Sequence, residues 1–364
     1  MSTELYNDLI KLCQDDKEFT FRDTQSSQDG KTYRVFNYSL ASRQQFNRPN
    51  ALNCRGTMFR LEDGSNPVLV CLPQEKFFEH KKGELIITRT VYKADGSLIS
   101  AYLDANGDVA FKSKNLPVAP KIVYAIYKEY DDTLKQEILQ CLEARFSLDF
   151  EYVAPENRHI IKYDTSKLVL LRMRSHVNFQ DIDLYTENSY PKLKTLLAPE
   201  FQEKNLDSLK HYRDVEGFVI KDEQGVYHKV KTYFYLAQEK LISIQDLSKF
   251  KERAVDVCLN GVVKEVCEKY LLKKRSPNYD AEGFIERVQY IDREVNTYRE
   301  TFEQHCETVK QQNDIPSVMA YLKSHGLERA ANIFVPLYKT GEFKDYNGAF
   351  KSLYLDSIQD LEGR

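Results

Sequence analysis

The apolar residues of this 364-residue chain keep two different periods, and the change between them constrains the fold more than any other feature. Up to about residue 240 the pattern is one of strands and turns. Residues 32–38 are β-branched and aromatic, and 67–72 form another short apolar run. Residues 97–103 and 109–112 flank Asp104-Ala-Asn-Gly-Asp108, which predicts a hairpin around Asn106-Gly107. Residues 218–221 and 226–235 flank Asp222-Glu-Gln-Gly225 and predict a second hairpin. Two helices interrupt this part, over 1–16 (Leu5, Leu9, Leu12, Cys13) and 133–145 (Leu134, Ile138, Leu142, Ala144). Beyond about 245 the spacing becomes i, i+3, i+4. Val255, Cys258, Leu259, Val262, Val266, Tyr270 and Leu271 predict one amphipathic helix, and Phe284, Val288, Ile291, Val295, Tyr298 and Phe302 a second. Lys273-Lys-Arg-Ser-Pro-Asn278 separates them. A third helix is predicted from Asp314, with Pro316 in its first turn and Gly326 closing it, and more helix beyond Ala331. Strands and helices do not alternate regularly, so a doubly wound parallel sheet is excluded. The fold class is α+β: antiparallel sheets over 1–245, then an all-helical domain over 246–364.

The length accommodates two such domains. A formal net charge of −3 gives no global basic field, so any nucleic-acid surface must be a local patch. The seven cysteines have no paired metal spacing, and neither CxxC nor HExxH occurs. That pattern fits free thiols in a reducing compartment. Residues 1–16 have neither the basic start nor the apolar run of a signal peptide. No stretch approaches the ~20 apolar residues of a membrane span, so a cytoplasmic protein without a membrane partner is expected.

The sharpest local feature is Lys93-Ala-Asp-Gly-Ser97. A lysine followed by an acid and a glycine, entering a strand, matches the KxDG signature of covalent nucleotidyltransferases. There a deprotonated amine attacks the α-phosphate of a nucleotide, and its pKa must be lowered by positive neighbours or burial. Alone, such a tetrapeptide arises often by chance and usually marks an exposed turn. Downstream, Phe146, Leu148, Phe150 and Tyr152 alternate on one strand face and Glu151 takes the other. Glu216-Gly217-Phe218-Val219 opens the second hairpin, and Lys229-Val-Lys231 puts two lysines on one face of its return strand, where they can grip one triphosphate. Each of these alone has a plain structural explanation as a solvated strand face.

In order and spacing the series resembles the covalent nucleotidyltransferase superfamily of polynucleotide ligases and capping enzymes. Cys54-Arg55-Gly56, Glu75-Lys76-Phe77-Phe78, Phe111-Lys-Ser-Lys114, Phe150-Glu-Tyr-Val-Ala-Pro-Glu-Asn-Arg158 and 168–174 narrow the resemblance to the T-even phage RNA ligase 1 family, which repairs broken tRNA. It covers essentially the whole chain and implies an ATP-grasp-like adenylation domain before the helical one. It implies an ATP-dependent RNA ligase that joins 5′-phosphate and 3′-hydroxyl ends through lysyl-AMP and RNA-adenylate intermediates. Lys93 would be the nucleophile, Glu151 would contact the nucleoside sugar, and Glu216 would hold Mg²⁺, for which Mn²⁺ can substitute. Lys229 and Lys231 would contact the α-phosphate, and Arg55 and Lys76 would contact the outgoing phosphates or help in the later steps. Lys114, and more weakly Lys112, match the lysine-bearing strand after the nucleophile, and Tyr235 an aromatic position after the Lys-x-Lys strand. The partners implied are ATP and RNA ends, with cleaved tRNA anticodon loops foremost, for a monomer in the cytoplasm (the host's, for a phage-encoded chain).

With many cations and few carboxylates, such a site would depress the pKa of Lys93. Ala94 stands where relatives carry an acid, at a variable position. His159 and His176 lack partners at catalytic spacing, and His228 alternates away from Lys229 and Lys231. The Lys273-Lys-Arg275 cluster is either a solvated helix end or an RNA contact. Two other functions stay open on the residues alone. One is a non-catalytic RNA-end-binding protein on a ligase scaffold; the other is a GTP-dependent capping-type nucleotidyltransferase.

Overall fold

The structure, a computed structural model, describes residues 1–62, 66–80, 85–157, 159–242, 249–272 and 281–362. It divides into two compact units, Met1–Thr232 and Tyr233–Arg364. The boundary expected at 245 falls within 243–248, outside the described residues; the division itself lies at Thr232/Tyr233.

In the first unit, helix α1 (Ser2–Asp15) buries Leu5, Leu9 and Leu12. Strands β1 (Phe19–Gln25), β2 (Thr32–Tyr38), β3 (Met58–Leu61) and β4 (Val68–Cys71) form an antiparallel sheet in that order. Then follow β5 (Phe78–Glu79), β6 (Ile87–Lys93), β7 (Ser97–Leu103), β8 (Val109–Ser113), α2 (Lys121–Lys128), α3 (Asp132–Glu143), β9 (Phe146–Val153), β10 (Lys167–Ser175), β11 (Asp181–Ile182), β12 (Glu200–Phe201), α4 (Leu206–Lys210), β13 (Gly217–Asp222) and β14 (Tyr227–Lys231). The second sheet has the order β11-β10-β9-β7-β8 and the third β12-β6-β13-β14-β5. All pairings are antiparallel except β14 with β5.

Both predicted hairpins form, and by one device. Asp104 Oδ1 accepts from the Asn106 and Asp108 amides across the β7–β8 turn, and Asp222 Oδ1 from Gln224 and Val226 across the β13–β14 turn. Gly107 and Gly225 supply the left-handed residue at φ +84° and +80°. The second hairpin is shorter than expected, because β14 ends at Lys231 and Tyr233 begins a helix. Thr232 turns the chain: its hydroxyl donates to the Val215 carbonyl at 2.9 Å and its amide to that of Glu216 at 3.0 Å. After it the buried residues Phe234, Ala237, Gln238 and Leu241 take helical spacing.

Every described element of the second unit is a helix: α5 (Tyr233–Ile242), α6 (Phe250–Leu259), α7 (Val263–Leu272), α8 (Ala281–Lys310), α9 (Ile315–Ser324), α10 (Ala331–Thr340) and α11 (Tyr346–Glu362), besides one 3₁₀ turn. The helix expected to run unbroken from Val255 to Leu271 is two, because Gly261 at φ +62° ends α6 in the left-handed conformation. Phe284, Val288, Ile291, Val295 and Phe302 are buried on α8. Asp314 caps α9 by accepting from the Ser317 amide at 2.8 Å, with Pro316 in the first turn and Gly326 beyond the end at φ +69°. The Lys273-Lys-Arg275 cluster lies outside the described residues.

Candidate active site

Register places the candidate residues. Gly217 pairs with Lys93 on one side and with Lys231 on the other, so three adjacent strands present Lys93, Gly217 and Lys231 as one rung. Two residues along the same face, Val91, Val219 and Lys229 form the next rung. Gly217 is required here, because a Cβ on it would lie 2.0 Å from the Val230 carbonyl oxygen. Gly96 is required for the same reason, with a Cβ 2.1 Å from the Tyr152 oxygen. Gly96 and Gly217 therefore both serve close approach of backbones.

Lys93 Nζ donates to Glu216 Oε2 at 2.7 Å, with the lysine side chain 20% and the carboxylate 5% exposed. Glu151 Oε1 accepts from the Gly96 amide at 3.1 Å. Asp95, buried, accepts from the Ile160 and Ile161 amides at 2.7 and 2.8 Å. The acid of the signature is thus a clamp on the 160–161 loop that fixes the backbone beside Lys93. Burial alone would lower the pKa of Lys93, but Glu216, Glu151 and Asp95 outweigh it and hold the amine above its ordinary value. The expectation that cations would depress it is therefore corrected: the nearest charges are carboxylates.

Those cations act on Lys229 instead. Burial, with Lys93, Lys76 and Arg55 as like-charged neighbours, lowers its pKa to about 7. Burial raises Glu151 to about 7, with Glu216 adding to the effect and Lys93 and Arg55 opposing it. Glu216 is raised too, by burial, against the pull of Lys93. Lys76 and Lys114 lie over the ring of Tyr38, at 5.0 and 4.4 Å from its centroid, and burial lowers the pKa of Lys114. Lys112 is fully buried, donates to the Ser113 carbonyl at 2.7 Å, and belongs to the interior beside Asp149 and Cys71. Tyr235 is buried in the first turn of α5, in the second unit.

A cleft with about 860 Å³ of open space at and within its mouth runs between the second and third sheets. Arg55, Lys93, Glu151 and Lys229 line its polar end, and Val91, Leu171, Leu197, Ala198 and Val219 its apolar middle. This is a shape and chemistry for a nucleotide: cations for phosphate, an acid for hydroxyls, a flat apolar slot for a base.

Two buried residues not anticipated from sequence hold this arrangement. Arg174 donates to Asn53 Oδ1 (2.7 Å), the Pro73 carbonyl (2.9 Å) and Glu75 Oε1 (2.8 Å), so it ties the loops that carry Arg55 and Lys76 to β10. Asp149 accepts from Ser100 Oγ at 2.6 Å and the Gln74 amide at 2.5 Å, and burial raises its pKa. The one available signal was charge in apolar strands, Arg174 ending 168–174 and Asp149 within 146–153. Of the histidines set aside, His176 is buried with Nε2 2.7 Å from Ser147 Oγ, and His228 pairs with Asp222 at 2.9 Å.

No family model matches the sequence. Over 181 residues the chain is 25% identical to RNA ligase 1 of bacteriophage TS2126, an alignment that takes in 46% of this chain and 44% of that protein. The match thus spans less than half the length of the curated relative. Among solved structures, an archaeal ATP-dependent RNA ligase is 11% identical with a TM-score of 0.46, covering 99% of each chain. A Naegleria gruberi RNA ligase with PPi is 11% identical with a TM-score of 0.35, covering 62% of this chain and 99% of that one. Among the described residues no helix is long and apolar enough to cross a membrane.

Proposed function

We propose that the chain is an ATP-dependent RNA ligase whose first unit adenylylates Lys93. The observation that carries this is the rung that sets Lys93 beside Gly217 and Lys231, with Glu216 on the amine and Lys229 one rung below. The relation to a phage RNA ligase supports the same reading.

Lys93 is the nucleophile. Its Nζ loses a proton and attacks the α-phosphorus of ATP; the N–P bond forms, the bond to the bridging oxygen breaks, and pyrophosphate leaves with that electron pair. Lys229 and Lys231 neutralise charge that develops on the phosphate, and Arg55 and Lys76 draw on the departing pyrophosphate. Glu151 faces the sugar. An oxygen of an RNA 5′-phosphate then attacks the same phosphorus, and Lys93 leaves and regains a proton. A 3′-hydroxyl finally loses its proton, displaces AMP and forms the phosphodiester.

Among the described residues no three His, Cys, Asp or Glu side chains gather for a metal ion. A single carboxylate suits Mg²⁺ that is shared with phosphates and keeps most of its waters, and Glu216 is that carboxylate. The bound ion would take up the charge of Glu216 and so release Lys93 from the partner that keeps it protonated. Broken tRNA, opened in the anticodon loop, is the substrate the family resemblance implies, for a protein acting as a cytoplasmic monomer.

Incubation with α-labelled ATP and Mg²⁺, followed by denaturation, tests this. Acid-labile label that Lys93→Ala removes is the expected result. Label from GTP alone would move the assignment to capping, and no label from protein that still binds RNA would leave an RNA-end-binding protein.

A further inference from the structure

A second pocket, with about 870 Å³ of open space at and within its mouth, adjoins the cleft, and Phe77 and Lys229 line both. Sheet order puts it across Gly217 from Lys93: β13 carries Gly217, β14 carries Lys229 and Lys231, and the edge strand β5 carries Phe78 and Glu79. Two strand spacings, ~9–10 Å, separate the backbones of Lys93 and Lys231, and Gly217 puts no side chain between them. Arg43, Lys76, Lys229 and Lys231 line this pocket, and the exposed Glu79 is the one carboxylate among its described lining residues. Three of the cations lie against aromatic rings instead of acids. Arg43 is 5.1 Å from the centroid of Phe78, Lys76 5.0 Å from that of Tyr38, and Lys229 4.8 Å from that of Phe77. A ring holds a cation in place without cancelling its charge. The acids on the adjoining loops are engaged elsewhere: Asp16 with Arg48 at 3.4 Å, Glu18 with Ser39 Oγ at 2.8 Å and Glu75 with Arg174 at 2.8 Å. Arg43 is exposed, yet its loop is fixed. The Ser42 amide donates to Gln45 Oε1 at 2.7 Å, Gln45 Nε2 donates to Asp16 Oδ2 at 2.9 Å, and Phe46 is buried.

We propose that Arg43 is a further substrate-binding residue, and that this outer pocket holds a phosphate group on the side of the α-phosphorus away from Lys93. The proposal rests on the reading that Lys93 is the nucleophile. In-line displacement sets the attacking and leaving groups at opposite ends of the phosphorus. Pyrophosphate therefore leaves at the end away from Lys93 in the first step, and an RNA 5′-phosphate attacks at that same end in the second. Both are phosphates of multiple negative charge, and both call for cations whose charge is not already cancelled. Lys93 is paired with Glu216, whereas the outer cations rest on rings. Arg43 is the one guanidinium among the described residues of this pocket. Its planar fork can give two parallel N–H donors to one phosphate, which a lysine cannot.

The test compares the full chain with Arg43→Gln and Arg43→Lys, and with Arg22→Gln, an exposed arginine on β1 that controls for net charge. Thermal unfolding of all three should match wild type, because both arginines are exposed. One arm titrates inorganic pyrophosphate into the protein without ATP. The other measures transfer of AMP from the adenylylated protein to a 5′-phosphorylated oligoribonucleotide. Arg43→Gln should weaken pyrophosphate binding, or raise KM for the RNA, at least about fivefold, with Arg43→Lys recovering part of the loss. Loss in the first arm alone names pyrophosphate as the occupant, and loss in the second alone names the RNA 5′-phosphate. Binding of the same RNA with a 5′-hydroxyl should not change. Both arms within about twofold of wild type, an equal loss in Arg22→Gln, or an equal loss for the 5′-hydroxyl RNA would overturn the role of Arg43. No label on Lys93 of the wild type would instead bring down the ligase reading, and the pyrophosphate titration, which needs no chemistry, would then decide the pocket alone.

Discussion

The two units of this chain bury different things. In the first, Asp95, Lys112, Asp149, Arg172, Arg174 and Glu216 are all buried, each a charge removed from water at a cost. In the helical unit, the described buried polar or charged residue is Gln238, and the core is aromatic and aliphatic: Phe284, Val288, Val295, Phe302, Phe334 and Phe350. Buried charge adds little stability compared with apolar packing of the same volume. Its concentration in one unit therefore says that the first unit has been shaped by chemistry as well as by folding, and the second chiefly by packing.

The contrast is open to attack from both sides. Phe302 touches Phe334, Phe343, Tyr346 and Phe350, so Phe302→Ala should cost about 3–5 kcal/mol in a denaturant titration. A loss below 1 kcal/mol would mean that the helical core is not what holds that unit. Arg174→Met should cost less, about 1–3 kcal/mol for the partners left at Asn53, Pro73 and Glu75. It should also raise KM for ATP by more than it lowers kcat, because Arg174 acts through Arg55 and Lys76; equal effects would contradict that positioning role.

Lys229→Met should go the other way. Its amine is held near pKa 7 by burial and by cations, so folding has to disfavour its charge. Removing it should stabilise the chain by about 1–2 kcal/mol while labelling of Lys93 falls. Loss of both stability and labelling would overturn the idea of a residue kept at the expense of stability. The pH dependence carries the same signature at smaller scale. Between about 7 and its unfolded value Lys229 binds fewer protons in the native than in the unfolded state, so it makes stability rise with pH across that window. Nucleotide affinity measured without metal should weaken a few-fold above pH 7, as Lys229 loses its charge. Single-turnover labelling should instead quicken with pH, since Lys93 is held protonated by Glu216. Affinity and rate moving together would contradict this division of roles.

Most of the first unit's layout was legible in sequence, because hairpins announce themselves through Asp and Gly at fixed offsets and the candidate residues fall in order. Lys93, Glu151, Glu216 and Lys229 converge, as their order suggested. What was not legible depends on neighbours far apart in the chain. The sign of the Lys93 shift turns on Glu216, 123 residues away. Arg174 holds partners that only the fold brings close. At Gly261 and at Tyr233 local backbone preference overrode a period that could be extended through either position, and the helix break and the helix start were missed for that reason.

The most direct test of the account is mass spectrometry on the intact protein after incubation with ATP and Mg²⁺, with the modified peptide located. The account predicts one added AMP on Lys93, absent from Lys93→Ala. It further predicts that Glu216→Gln, which frees the amine from its carboxylate, still fails to turn over normally, because the metal's anchor has gone. AMP found on another lysine, or full adenylylation of Lys93→Ala, would contradict it.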